Sequence, residues 1–297
     1  MADILSRGNL FPEELIPELV NQVKGHSSLA KLCQARPIAF NGQREFTFTM
    51  DREVDIVAEN GAKSKGGMTV LPRTIVPIKF EYGARVSDEF RYGSDEVRLG
   101  YLEAFSEGFA RKLARGLDIA AFHGHNPRTA AASAVVGTNH FDAQVTTTVT
   151  YDAAQPDDNL DAAVAAIRAL ENDVTGIAMA PAFASAMAKV KVNGVCQYPE
   201  FRFGQNPDSF AGMACDVNGT LAANSASDAA IVGDFASAFR WGYAKKIPLE
   251  VIEFGNPDND PDLGDLKGHN QVYLRCEAYL GWAILDPSCF VRVVQGA

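Results

Sequence analysis

The stretch GSDEVRLGYLEAFSEGFARKLARGLDIAAFHG, residues 93–124, decides the fold. Its apolar residues return every three or four positions, the spacing that forms one stripe along an α-helix. They are Leu99, Leu102, Phe105, Phe109, Leu113, Leu117, Ile119 and Phe122. Ser94 suits the N-cap position, and Gly124 suits the end of the helix. We predict a spine helix of roughly 45 Å, either the core helix of an ordinary α+β domain or the stiffener of a plate-like subunit.

The composition excludes several classes of protein. The 297 residues are 47% hydrophobic and 22% charged, which is enough apolar material for one large domain or two. A net charge of −10 disfavours sequence-independent binding of nucleic acid. There is no apolar run of about 18 residues for a membrane span, and the N-terminus lacks the pattern of a secretory signal. Five scattered cysteines without a CxxC pair predict reduced, buried thiols in a cytoplasm.

The region before the helix has the pattern of extended structure. QREFTFTM (43–50) alternates Phe46 and Phe48 with threonines, and TIVPIKFEYGARVSDEF (74–90) is a second extended run. The long polar connection between the two runs predicts an outstretched hairpin. Because a two-stranded ribbon alone is marginal in water, we expect it to lie on another copy of the chain. A long hairpin lid of an enzyme fits the same pattern.

The part of the chain after the helix indicates an α/β layer. In GIAMAPAFASAMAK (176–189), a buried strand is followed by a proline that opens a helix. NQVYLRCEAYLGWAIL (270–285) alternates strongly and predicts a long strand, with Tyr273 and Glu277 on its polar face.

Motifs for catalysis and ligand binding are absent. The sequence has no GxxxxGK[ST], GxGxxG, HExxH or GxSxG pattern. His123 and His125 lie close together without the third ligand that zinc needs. Asp258, Asp260 and Asp262 lack the glycine and the glutamate that a calcium loop requires at its sixth and twelfth positions. We therefore predict no catalytic residue, no cofactor and no metal.

Three further side chains have a structural interpretation. Cys196 and Cys276 lack a neighbouring histidine motif and are predicted to be buried thiols. Asp118, near the end of the helix, is predicted to be exposed or to form a helix–loop hydrogen bond, rather than to act as a functional carboxylate.

The order and spacing of five segments resemble the major capsid proteins of tailed bacteriophages, which have the Hong Kong 97-type fold. The segments are IKFEYGARVSDEF (78–90), LARGLDIAAFHGHNPRT (113–129), GIAMAPAFASAMAKVKVNGVCQYPEF (176–201), VGDFASAFRWGYAKKIPLEVI (232–252) and VYLRCEAYLGWAILDPSCFVRV (272–293). The last departs from the family pattern, with Cys289 where alanine is usual. The resemblance covers the whole chain.

The resemblance implies an α+β fold in four parts. These are an N-arm (1–40), an extended loop (41–80), a peripheral domain with the spine helix (81–127 and 268–282) and an axial domain (128–267 and 283–297). It also implies a structural protein without enzymatic activity. Such subunits form hexamers and pentamers of an icosahedral shell around double-stranded DNA, which they hold without specific recognition.

The implied partners are other copies of the chain, with separate scaffolding, portal and decoration proteins as further candidates and no membrane. The place is the virion capsid, assembled in the cytoplasm of the bacterial host. Contacts between subunits are expected at Glu59, Lys63, Lys65 and Arg73. The loop lysines could cross-link to an asparagine of a neighbour, or could simply be solvated. An encapsulin-like nanocompartment shell is the alternative, followed by a soluble α/β enzyme.

Overall fold

The computed structural model describes residues 27–89, 95–225 and 227–296; residues 1–26 of the predicted arm and the predicted N-cap Ser94 lie outside them. The helices are α1 (Ser28–Leu32), α2 (Asp95–His123), α3 (Phe141–Gln144), α4 (Pro156–Arg168) and α5 (Pro181–Met187). The strands are β1 (Gln43–Met50), β2 (Met68–Ile75), β3 (Ile78–Ser87), β4 (Thr148–Tyr151), β5 (Gly176–Met179), β6 (Lys191–Val192), β7 (Val195–Cys196), β8 (Ser209–Phe210), β9 (Met213–Val217), β10 (Asp228–Gly233), β11 (Phe239–Ile252), β12 (Gln271–Ile284) and β13 (Phe290–Gln295).

The spine helix is present as α2 and confirms the prediction from the apolar spacing. Leu102, Phe109 and Leu113 are buried on one stripe, whereas Leu99 near the N-terminal end is 38% exposed. The helix ends at His123 and is followed by Gly124, whose φ of +66° is a left-handed conformation that glycine adopts without a steric penalty. The stripe packs against the apolar side chains of β12 in one continuous core.

A three-stranded antiparallel sheet in the order β11-β12-β3 lies against the spine helix. The predicted long strand is confirmed as β12, and Tyr273 and Glu277, on the face opposite its predicted apolar face, are both buried. The ring of Tyr273 packs over Gly83 of β3, and Glu277 pairs with Lys79 of the same strand at 2.6 Å, so both side chains lie against β3. Strand β11 belongs to this sheet, although its residues fall within the range expected for the axial domain.

The extended loop contains the predicted hairpin, but its second strand differs from the expectation. β1 pairs antiparallel with β2, which begins at Met68 inside the segment expected to be a connection. The run 74–90 is divided, and its second half forms β3 of the other sheet. Ile75 is fully buried with Ile38 and Ala283, and Pro77 has no N–H with which to continue the ladder. The chain therefore leaves the ribbon at this point.

The second layer is a six-stranded mixed sheet in the order β4-β13-β10-β5-β9-β8. Helices α4 and α5 cover one face, in a core that includes Ile167, Phe183 and Val232. The other face shares its core with α1 and the C-terminal half of α2. The end of the spine helix is thus wedged between the two large sheets.

Residues 27–38 belong to the body of the subunit. Helix α1 is buried against α2 and the six-stranded sheet, and the following residues run along the edge of β11. Arg36 N donates to Trp241 O at 2.9 Å, and Ile38 N donates to Tyr243 O at 3.1 Å. A Cβ at Gly242 would lie 1.6 Å from Arg36 O, so only glycine permits this approach.

Candidate functional site

The most conspicuous surface is one face of the β1–β2 ribbon. The register places Phe46 opposite Pro72, Phe48 opposite Val70 and Met50 opposite Met68. Because side chains alternate between the faces of a strand, these six apolar side chains share one face. Phe46 is 64% exposed, Met50 is 73% exposed and Met68 is 70% exposed. Several large apolar groups exposed together mark a contact surface rather than the scattered exposure normal for a monomer.

The ribbon is anchored only at its base within the described residues. Glu45 forms an ion pair with Arg240 of β11, and Ile75 inserts into the core. At the far end, Asp51 N donates to Gly67 O at 3.2 Å, while Gly67 N donates to the carboxylate of Asp51 at 2.6 Å. The apolar face between these ends has no covering element in the part of the chain that the structure describes.

The four expected contact residues do not form one cluster along the ribbon. Glu59, Lys63 and Lys65 are exposed in the connection beyond the closed end of the ladder. Arg73 lies on β2 near the base, half-buried and opposite Glu45 in the ladder. Their participation in contacts between subunits stays a prediction.

Asp118 forms a buried anchor for the start of α1. Its carboxylate, fully buried on α2, accepts hydrogen bonds from the Ser27 hydroxyl, Ser28 N at 2.9 Å and Leu29 N at 3.3 Å. The Thr220 hydroxyl at 2.9 Å and the Asn218 amide at 3.3 Å, both after β9, complete the set. Burial raises the pKa of Asp118 to about 6, and these donors oppose the rise. The expected hydrogen bonding is confirmed, whereas the expected exposure is wrong.

Thr220 connects this anchor to a second buried polar cluster. Its carbonyl oxygen lies 3.2 Å from Nε2 of His123, the last residue of α2. Nδ1 of His123 lies 2.9 Å from Oδ2 of Asp142 on α3. The Arg292 guanidinium on β13 contacts Asp142 at 2.9 Å and Asp228 of β10 at 2.8 Å. The cluster therefore ties the end of the spine helix to two strands of the six-stranded sheet.

The same cluster bears on the question of metal binding. Donor atoms of His123, Asp142 and Asp228 all lie within 4.8 Å of one another. The guanidinium of Arg292 already supplies a positive charge to both carboxylates, in the place where a cation would be needed. We assign an ion-pair role to the cluster for this reason.

The acidic loop 255–266 is organised by a guanidinium in a similar way. Arg85 of β3 donates to both carboxylate oxygens of Asp258, at 2.8 and 2.6 Å, and to Asn256 Oδ1 at 2.7 Å. Asp260 Oδ1 accepts backbone N–H groups of the loop itself, from Asp262 and Leu263. These contacts, together with the missing calcium-loop residues, indicate that the guanidinium of Arg85, rather than a calcium ion, organises the loop.

The cysteines carry free thiols. Burial raises the pKa of Cys276, Cys215 and Cys289 to about 12, which keeps these groups protonated and unreactive. The predicted burial is confirmed for Cys276, whereas Cys196 is only half-buried, at the edge of the β6–β7 hairpin.

Comparison with known proteins identifies the family. The model of the phage capsid family matches residues 7–294. The chain belongs to the phage capsid family. It is a structural protein, a major capsid protein that forms a shell, and its location is the virion capsid.

Solved structures agree over most of the chain. A structure from Mycobacterium phage Ogopogo is 31% identical, with a TM-score of 0.77, over 91% of this chain and 92% of that chain. One from Gordonia phage Cozz is 26% identical, with a TM-score of 0.75, over 92% and 87%. The capsid of a native GTA particle, computed with C5 symmetry, shares the fold at 15% identity, with a TM-score of 0.65, over 91% and 90%. No curated protein sequence matches the chain.

These similarities confirm the mixed α+β, Hong Kong 97-like fold and favour the phage shell over the nanocompartment alternative. No helix in the described ranges is both long and apolar enough to cross a membrane. Sequence reasoning missed the His123–Asp142–Asp228–Arg292 cluster, because its members lie far apart in the chain and form no local motif.

Proposed function

We propose that the subunit closes into hexamers and pentamers of an icosahedral shell, and that the apolar face of its β1–β2 ribbon lies on a neighbouring copy. The observation that carries this proposal is the row of exposed apolar side chains, which includes Phe46, Phe48 and Met68. Burying one such side chain contributes about 1.5–3 kcal/mol, so a covered row supplies a substantial share of a stable contact. A ribbon that projects onto the next copy makes a heterologous contact, the kind that closes into rings.

We further propose that the charged connection at the ribbon tip contributes contacts through Glu59, Lys63 and Lys65, with Arg73 acting nearer the base. These residues are candidates because their side chains lie on or beside the projecting ribbon. In the proposed division the N-arm covers 1–40, the loop 41–80, the peripheral domain 81–127 and 268–282, and the axial domain the remainder. β11 would then join the peripheral sheet.

The packaged molecule would be double-stranded DNA, held without specific recognition. A subunit with a net charge of −10 suits a shell that must not bind its DNA tightly. Separate scaffolding, portal and decoration proteins are the further partners we propose. Assembly in the host cytoplasm fits free thiols on all five cysteines.

The test compares charge placed on the two faces of the same ribbon. The double variant Phe48→Asp/Val70→Asp puts carboxylates on the apolar face, whereas the control Thr49→Asp/Thr69→Asp puts them on the opposite face at an adjacent register position. Folding is checked by circular dichroism and thermal melting, and assembly by negative-stain electron microscopy and sedimentation. If a scaffold is needed, it is coexpressed with every variant.

We expect the apolar-face variant to fold and form no shells, and the control to assemble as the wild type does. Normal shells from the apolar-face variant would refute the proposed contact. A wild-type chain that never assembles, with or without scaffold, would contradict the proposed hexamers and pentamers themselves.

A further inference from the structure

The contacts of the two ring nitrogens of His123 favour its doubly protonated state. Its side chain is fully buried, and both ring nitrogens face acceptors: Asp142 Oδ2 at 2.9 Å and Thr220 O at 3.2 Å. A neutral imidazole has one N–H, so it would turn a lone pair toward one of these oxygens. Only the doubly protonated ring donates to both.

The surrounding charges favour the same state. Asp142 on α3 and Asp228 on β10 share the guanidinium of Arg292 on β13. The imidazolium faces Asp142 directly, at 2.9 Å from Nδ1, while the guanidinium lies between Asp142 and Asp228. Removing the proton from His123 would take away the positive charge that faces Asp142, a loss that an interior of low dielectric constant makes costly.

Two other histidine rings and one carboxylate complete the titratable surroundings. His125, two residues after the end of α2, has its ring centre 6.2 Å from that of His123. His140, before α3, packs against Gly124, and burial lowers its pKa. Asp118 lies on the far side of Thr220, whose hydroxyl it binds. Hydrogen bonds of Thr220 therefore link His123 to Asp118, the anchor of α1.

We propose that His123, with Asp142, Asp228 and Arg292, forms a proton-operated clasp between the end of the spine helix and the six-stranded sheet. The clasp is closed while the ring of His123 carries both protons and loosens when it loses one. Because Thr220 binds both His123 and Asp118, loosening also reaches the start of α1. This role is a regulation of the subunit itself and does not depend on which surfaces touch in the shell.

The pKa shifts of these groups determine whether the subunit gains or loses stability as pH rises. Although burial opposes it, the hydrogen bond and charge of Asp142 raise the pKa of His123 above its usual value. Burial, and then the charge of Asp142, raise the pKa of Asp228 to about 7. Groups that hold protons more firmly when folded stabilise the native state at low pH and lose this contribution as pH rises through their folded pKa. His140 acts in the opposite direction below about pH 6.5, its ordinary pKa.

The first test is urea unfolding of the full chain, as unassembled subunit, at pH 6 and pH 9. The variants are His123→Gln, which cannot titrate, and the matched control His269→Gln at an exposed position just after the acidic loop. Each pKa unit by which folding raises His123 changes the folding equilibrium constant about tenfold across this range. We expect the wild type and the control to lose the same amount of stability between pH 6 and pH 9, and His123→Gln to lose less. An identical pH dependence in all three proteins would overturn the proposal.

The second test needs no variant at the clasp. Hydrogen–deuterium exchange of the wild-type chain, corrected for the intrinsic pH dependence of exchange, is measured at pH 6 and pH 9. Protection should fall in 118–124, 218–222 and 27–33, and hold in α4, which packs on the other face of the six-stranded sheet. A uniform change across all four segments would refute a local clasp. Shells are not required, so failure here is separable from failure of assembly.

Discussion

Replacing Asp118 by alanine tests the anchor that joins the spine helix to α1. The substitution removes an acceptor that serves five donors, four of them on Ser27, Ser28, Leu29 and Thr220, which are all buried. Water cannot readily replace the carboxylate, because the residue is fully buried on α2. The start of α1 should therefore lose its attachment.

Two opposing contributions determine how much Asp118→Ala changes the free energy of unfolding. Each buried donor left without an acceptor costs about 1–3 kcal/mol, so four of them cost several kcal/mol. The variant also escapes the burial of a charge, a relief of about 3 kcal/mol because the pKa of Asp118 is raised from 3.8 to about 6. We expect a net loss of about 3 kcal/mol in the free energy of unfolding, similar to losses measured when one partner of a buried pair is removed.

The assay is urea unfolding at pH 7, followed by tryptophan fluorescence, together with hydrogen exchange in 27–33. Asp118→Asn keeps one acceptor oxygen and should lose less than Asp118→Ala. Asp161→Ala, an exposed carboxylate on α4, is the matched control and should change stability by less than about 0.5 kcal/mol. A loss below about 1 kcal/mol in Asp118→Ala, with unchanged exchange in 27–33, would refute the anchoring role.

Three further outcomes are expected. Gly242→Ala should push away the backbone of Arg36 and break two edge hydrogen bonds, for a loss of about 1–3 kcal/mol in urea unfolding; an unchanged midpoint would contradict the close approach. Phe109→Pro should break the spine helix and lower the free energy of unfolding by about 3 kcal/mol or more beyond the loss in Phe109→Ala, as measured by circular dichroism. A folded proline variant that forms shells would disprove the helix assignment. Arg85→Met should increase the rate at which the protease Asp-N cleaves within 255–266 and leave the midpoint of global unfolding unchanged. Equal cleavage rates in the variant and the wild type would show that the guanidinium does not hold the loop.

Local periodicity predicted those parts of the fold in which neighbours in sequence share one environment. The spacing of Leu102, Phe109 and Leu113 indicated α2, and alternation indicated β1 and β12. The second strand of the ribbon was misplaced because the run 74–90 continues through Ile75, where burial against distant residues ends the ribbon. Alternation along β12 could not show that Glu277 is buried, because its partner Lys79 lies on the adjacent strand.

The sequence by itself determined the spine helix and the family resemblance carried by five ordered segments, and it predicted that the ribbon needs a partner. The tertiary structure alone decided the register that gathers Phe48 and Val70 on one exposed face. It also decided the buried network from Asp118 through Thr220 to His123. The physical reason is that a helix or strand pattern reflects contacts between near neighbours. The ionisation and burial of a carboxylate or an imidazole depend instead on groups that only the folded chain brings together.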